Sequence, residues 1–315
     1  MPKQFDHNSV SKKLADSWIN HRSASIYERW AADSGLDPAH FTITSSLGAI
    51  VGDIIGSRFE FNNHRSKDFD LYGYGCFATD DSITTLAVAK ALLDAKCDPE
   101  KLKEIIVPTM QRLGRPYPYS GYGGRFYGWM YSDNPKPYNS FDNGAAMRVS
   151  PVAWVAKDID EVKRLSHIVT AVSHNHPEGL KGAEATAIAT FIALHGTTKD
   201  KIRATMENDY YKVDFTLDEI RPTYQFDETC QKTLPVALAA FYESSDFEDS
   251  IRNAISVGGD SDTIAAITGA IAGAHYGIPP TIRAYALLYL PPELEPIAEK
   301  FEEKILNDRC SPSSS

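Results

Sequence analysis

Over most of its length the chain repeats apolar side chains at helical spacing. From Ser45 onward, Leu47, Ile50, Val51, Ile54 and Ile55 recur as the stripe of a helix that faces a core. Gly48, Gly52 and Gly56 lie four residues apart on the same segment. Each glycine costs a helix about 1 kcal/mol relative to alanine, so a ridge of three implies that a second backbone comes very close. The expected partner is VGGDSDTIAAITGAIAG, residues 257–273, because Gly269 and Gly273 repeat the spacing in a stretch that is small and apolar all round. Further helical patterns cover 81–94, 99–113, 159–172, 178–195, 234–243, 246–256, 263–276, 281–288 and 292–307. Alternating β-branched runs are scarce. The fold class expected is all-α, a compact orthogonal bundle of about ten or more helices.

The pattern breaks in two places. Between 114 and 145 it gives way to RPYPYSGYGGRFYGWMYSDNPKPYNSFDNGAA, and a loop of that length inside a domain is more often functional than idle. Its rings, Tyr117, Tyr119, Tyr122, Phe126, Tyr127 and Trp129, are too many for an idle excursion and mark a binding surface. Residues 1–43 balance basic against acidic side chains and hold Trp18 and Trp30, with short helices expected at 10–19 and 24–33. The organisation expected is an N-terminal extension over 1–43, one domain over 44–309 and a disordered tail over 310–315.

With 315 residues, 43% of them hydrophobic, the chain can bury a sizeable core. Its formal charge of -10 argues against nucleic acid or anionic membrane as a partner. Cys76, Cys97, Cys230 and Cys310 form no zinc-type cluster and read as reduced thiols. No apolar run reaches the roughly 18 residues of a membrane span, and MPKQFDHNSV lacks the apolar stretch of a signal peptide. The cytoplasm is the expected compartment.

Two acidic clusters stand at helix starts. Thr79, Asp80 and Asp81 open one, and Asp260, Asp262 and Thr263 open the other. One carboxylate at a helix mouth is a cap. Two such clusters side by side in an apolar bundle would repel unless protonated or bound to cations. Oxygen ligands without histidine or cysteine suit magnesium, manganese or calcium. Two further acids draw notice: Asp53, inside an apolar helix, and Glu60, just beyond the end of that helix near Gly56. His174 and His176, beside Pro177, read on spacing alone as caps of the helix that follows.

The motifs GDIIGSRFE, TDDS, NGAAMRVSP, SHNHPEGLKGA and GGDSDTIAAITGAIAGAHYGIP, in this order over residues 45–280, resemble the ADP-ribosylglycohydrolase family, the group of the dinitrogenase reductase-activating glycohydrolases. The resemblance implies an all-α fold around a binuclear magnesium site, with manganese the alternative ion. It also implies hydrolysis of the glycosidic bond between ADP-ribose and an acceptor side chain, most often arginine, on an ADP-ribosylated protein. The family's metal ligands fall on Thr79, Asp80, Asp81, Asp260, Asp262 and Thr263. Its catalytic positions fall on Glu60, as proton shuttle, and Asp262. Its substrate-binding positions fall on Gly121, Gly123, Gly124, Asn143, Gly144, Met147 and His174.

Two rival readings compete. DSDT resembles the motif of magnesium-dependent aspartyl-phosphate phosphohydrolases, but Ile264 stands where that motif needs threonine, and Phe247, Ile251 and Ile255 predict a helix where it needs a strand. The other rival is a toxin-immunity protein that binds an ADP-ribosyltransferase through residues 1–43, with Phe5, Trp18, Tyr27 and Trp30 as interface anchors.

Overall fold

The glycine ridge at 48, 52 and 56 is pressed against the helix that starts at Ser261. A Cβ at Gly48 would lie 2.0 Å from the Gly269 carbonyl oxygen, one at Gly52 2.0 Å from that of Ala265, and one at Gly56 2.5 Å from Asp262 Cα. No side chain fits at these three positions, and the rising numbers on one helix meet falling numbers on the other. The two helices are therefore antiparallel, and the end of the first faces the start of the second. The partner expected for the ridge is the one found, with Ala49, Ala266 and Ala270 filling the remaining seam.

The structure, a computed structural model, describes residues 45–310. The expectations for residues 1–43 and for the tail beyond Cys310 lie outside the described residues. In order, the helices are α1 (Gly48–Gly56), α2 (Asp80–Ala95), α3 (Pro99–Gly114), α4 (Gly124–Tyr131), α5 (Gly144–Met147), α6 (Pro151–Val155), α7 (Ile159–Thr170), α8 (Pro177–Leu194), α9 (Lys199–Asp209), α10 (Leu217–Ile220), α11 (Cys230–Tyr242), α12 (Phe247–Ser256), α13 (Ser261–Tyr276), α14 (Pro280–Tyr289) and α15 (Glu295–Cys310). Among the described residues the nearest approach to a sheet is one isolated bridge, Asp142 to Thr229. The fold is all-α.

Helix α13 is buried on every face from Ser261 to Ala274, as an all-round apolar helix must be. Helices α1, α8, α11 and α12 surround it, and α2 packs on α1 and α3. Aspartates start several of these helices. Asp98, Asp158 and Asp246 each accept the free amide of a first turn at 2.8 Å, from Lys101, Glu161 and Asp249. Cys76 and Cys230 are buried free thiols.

Two expectations need correction. The aromatic stretch at 114–145 contains helix α4, because Phe126, Trp129 and Met130 share one buried face at the three- and four-residue spacing of a helix. Trp129 Nε1 donates to the Val172 carbonyl at 2.9 Å, while Tyr119 stays 94% exposed, so the rings divide between core and surface. Helix α11 begins at Cys230, before the expected position 234, with Pro235 inside it. Helices α5, α6, α9 and α10 carried no strong signal; α9 buries only Ile202 and Met206, too few to show a stripe.

Candidate active site

The antiparallel seam brings the last turn of α1 to the first turn of α13, and both meet the start of α2. Asp53, fully buried on α1, accepts from Thr79 N at 3.0 Å, Thr79 Oγ1 at 2.6 Å and Ser82 N at 3.0 Å, and also from the Ser82 hydroxyl. It therefore serves α2 as a capping acceptor supplied from another helix. Burial outweighs these hydrogen bonds and raises its pKa to about 6.

Thr79 lies beneath the cleft, its hydroxyl bonded to Asp53 and also accepting from Asp81 N at 3.2 Å. Thr263 Oγ1 donates to Asp81 Oδ2 at 3.2 Å and so ties the two acidic helix starts together. Asp260 is delivered by a turn in which Gly258 and Gly259 both take positive φ, +75° and +73°. A Cβ at Gly259 would meet the Tyr224 ring at 2.5 Å. Asn143 Nδ2 donates to Asp260 Oδ2 at 2.6 Å.

The carboxylates repel one another in a dry place. Burial and neighbouring acids hold Asp80, Asp81 and Asp262 well above the ordinary carboxylate range. Asp260 is raised to about 6, mainly by burial, against the lowering bonds from Asn143 and Asp262. Glu60 is raised to about 8 by burial, Asp260, Asp53 and Glu228.

Oxygens of Asp53, Asp81 and Asp262 lie within 4.8 Å of one another, and so do oxygens of Glu60, Asp260 and Asp262. Asp262 belongs to both groups. Asp81 Oδ1 and Asp262 Oδ1 are buried without a hydrogen-bond partner. Orphaned carboxylate oxygens in an all-oxygen cluster fit hard divalent cations, one for each group.

Opposite the acids stands a basic wall. Arg148, 1% exposed, donates from Nη2 to Ser173 Oγ at 2.6 Å and meets His174 Nδ1 at 3.3 Å. Ser173 Oγ lies 2.8 Å from the same ring nitrogen, which therefore accepts and leaves the proton on Nε2. Burial, Arg148 and Arg125 hold the His174 pKa well below its ordinary value, so the ring is neutral. A Cβ at Gly144 would reach 3.2 Å from His174 Nε2, and Gly121, at φ +99°, would meet Asp80 Oδ1 at 2.9 Å. Glycine at both positions keeps the wall open.

Of the site residues that the family resemblance implies, all line one cleft except Thr79: Glu60, Asp80, Asp81, Gly121, Gly123, Gly124, Asn143, Gly144, Met147, His174, Asp260, Asp262 and Thr263; Asp53 and His176, also noted in the sequence, are not among its lining residues. The cleft holds about 190 Å³ of accessible space and opens to solvent. Sequence reasoning left out Arg125, Tyr138, Asp142, Arg148, Phe226 and Glu228, which also line it. Arg148 had a signal, a lone cation in the apolar run NGAAMRVSP. Phe226 and Glu228 had none.

A sequence profile of the ADP-ribosylglycohydrolase family matches residues 43–310. The chain belongs to that family. Its members hydrolyse ADP-ribose linkages. Among curated relatives, the ADP-ribosylhydrolase ARH3 of Danio rerio is 25% identical over 307 residues, covering 74% of this chain and 81% of the relative. The ADP-ribosylarginine hydrolase Tri1 of Pseudomonas putida is 25% identical over 295 residues, covering 83% and 75%. An uncharacterized protein of Archaeoglobus fulgidus is 27% identical over 271 residues, covering 72% and 85%. A solved structure titled ADP-ribosylglycohydrolase-related protein complex superimposes with a TM-score of 0.59 at 24% identity, over 82% of this chain and 95% of that one, a likeness of fold. The phosphohydrolase reading loses its structural context, because Asp260 follows helix α12 and a glycine turn, not a strand.

Proposed function

We propose that the protein is a magnesium-dependent ADP-ribosylhydrolase that releases ADP-ribose from a modified arginine side chain. One observation carries the reading: a single cleft joins a carboxylate pocket able to hold two hard cations to a wall bearing Arg125, Arg148 and His174. An ADP-ribosyl group has the matching parts, a terminal ribose rich in hydroxyls and, next to it, an anionic diphosphate. His174 Nε2–H and the glycine-rich backbone at Gly121–Gly124 and Asn143–Met147 bind the diphosphate side. Asp53, Asp81, Asp260 and Asp262 are the residues that would hold the ions, with Asp80, Thr79 and Thr263 completing the pocket. When bound, two divalent cations orient the ribose hydroxyls and polarise the attacking water.

The water oxygen bonds to the anomeric carbon as the bond from that carbon to the acceptor nitrogen breaks. Glu60 moves the proton from the water to the leaving nitrogen. Arginine is favoured as acceptor by the Tri1 relatives, which are named for that linkage. The test incubates the protein with arginine-linked and serine-linked ADP-ribosylated proteins, in magnesium or in EDTA. Free ADP-ribose is expected from the arginine-linked substrate in magnesium alone. Release in EDTA refutes the cation requirement, and release from neither substrate refutes the reaction.

A further inference from the structure

Beyond Glu60 the cleft wall ends in an aromatic pair that the proposed reaction does not use. Phe61 is 85% exposed and Phe226 42%, and their rings stack with centroids 6.0 Å apart and planes 25° from parallel. Rings of that size, left in water, mark a binding surface. They are held there by a braced frame. Asn63 Nδ2 donates to the carbonyls of Glu60 and Gly259 at 2.8 and 3.0 Å, and Asn63 Oδ1 accepts from Gly259 N at 2.9 Å. Arg65 donates to the Val257 carbonyl at 2.7 Å and to that of Tyr224 at 2.5 Å. The segments carrying the two rings are thus pinned to each other and to the turn that delivers Asp260.

Two carboxylates accompany the rings. Glu60 and Glu228 line the cleft, and among the described residues neither side chain has a hydrogen bond or an ion pair. Asp227 is different, because its carboxylate is spent on Thr229 N and Oγ1 at 2.9 and 2.6 Å. The arginines of the cleft, Arg125 and Arg148, act on His174 and Tyr138 instead. Negative charge beside free aromatic faces complements a planar cation, and a guanidinium both stacks on such a ring and forks to carboxylates.

We infer that Phe61, Phe226 and Glu228 form the acceptor subsite and select an arginine-linked over a serine-linked ADP-ribosyl group. The inference rests on the reaction proposed above. The guanidinium of the modified arginine lies over the free face of the ring pair, with Glu228 as its counter-charge and Glu60 next to the bond that breaks. A serine-linked substrate presents no cation to these groups.

The test measures steady-state kinetics on arginine-linked and serine-linked ADP-ribosylated peptides, and calorimetric affinity for free ADP-ribose. The double variant Phe61→Ala, Phe226→Ala should raise KM for the arginine-linked peptide about tenfold, with kcat changed far less and ADP-ribose affinity kept. Glu228→Gln should raise the same KM and weaken its dependence on salt. An unchanged KM overturns the inference, and so does an equal rise for both peptides or a parallel loss of ADP-ribose affinity. If the wild-type protein cleaves the serine-linked peptide alone, the acceptor subsite falls while the ADP-ribosylhydrolase reading stands. If it cleaves neither, both fall.

Discussion

The active-site acids depend on how closely two helices approach, and Gly52→Ala tests that dependence. An added Cβ would sit 2.0 Å from the Ala265 carbonyl oxygen and 2.4 Å from its carbon. Ordinary contact requires about 3.5 Å, so α1 and α13 would have to part by roughly 1 to 1.5 Å. A gap of that size forfeits about a quarter to a half of each dispersion contact along the seam. Overpacking typically costs about 1–3 kcal/mol when side chains can move aside, and here backbone meets backbone. Taking about 3–4 kcal/mol for this rigid clash, and about 1 kcal/mol of helix propensity that alanine returns, the net loss is about 2–3 kcal/mol. In a domain of this size that lowers the melting temperature by roughly 5–10 °C.

Gly128 is the control, because nothing lies within 4 Å of its added Cβ and it sits inside exposed turns of α4. Gly128→Ala should leave stability unchanged or raise it by up to about 1 kcal/mol. Thermal melts followed by far-ultraviolet circular dichroism compare the two, first in EDTA and then in magnesium. Parting the helices also displaces Asp262, whose Cα lies 2.5 Å from a Cβ built at Gly56, so the Gly52 variant should lose most of the stabilisation that magnesium gives the wild type. If Gly52→Ala melts with the wild type, or shifts as Gly128→Ala does, the close seam does not hold the site.

Magnesium at a hundred times its dissociation constant should stabilise the wild type by about 2.7 kcal/mol. Asp262→Asn should abolish that gain and turnover while the cation-free protein stays folded, since one of several like charges is removed; a wild-type response would take Asp262 out of the site. His174 has a folded-state pKa below its ordinary 6.5, so its contribution to stability is present above that pH and is lost as pH falls beneath it, where the unfolded chain takes up the proton first. His174→Gln should therefore gain stability relative to the wild type as pH falls from about 7 to about 5, and a constant difference between their melting temperatures would show that the ring charges freely when folded. Deleting residues 1–43 should leave hydrolysis of a soluble ADP-ribosylated substrate within a few-fold of the full chain, because every residue to which the proposed reaction gives a role lies between Asp53 and Thr263; parallel loss of folding and catalysis would make them part of the core.

How much the sequence revealed depended on whether a residue's task was local. The ridge at 48, 52 and 56 was legible because it breaks helix propensity three times on one face, and only close packing compensates for that. The aspartates of α2 and α13 were legible because each helix start carried one acid more than a cap requires. Helix α4 was not, since glycine and aromatic residues mask a stripe little more than one turn long, made of Phe126, Trp129 and Met130. Pro235 hid the first turn of α11 in the same way.

The residues that reasoning from the sequence missed, or noticed without assigning a task, have their tasks set by partners far along the chain. Asp53 caps a helix that begins 27 residues later, and its oxygens double as part of a cation pocket only because Asp81 and Asp262 arrive beside it. Arg148 acts through Ser173 on His174, and Phe226 acquires a neighbour only when the strap from Glu60 to Arg65 is pinned against residues 221–228. Such residues carry no periodic mark, because burial is fixed by the helix they sit on while function is fixed by what another helix brings to them. The single device that makes these meetings possible is the glycine seam. With side chains at 48, 52 and 56 the two helices would still form, each on its own propensity, yet the end of α1 and the start of α13 could not approach closely enough to share Asp262 between two groups of carboxylates. The helix-breaking residues of the sequence are therefore also the ones that set the spacing of its acids.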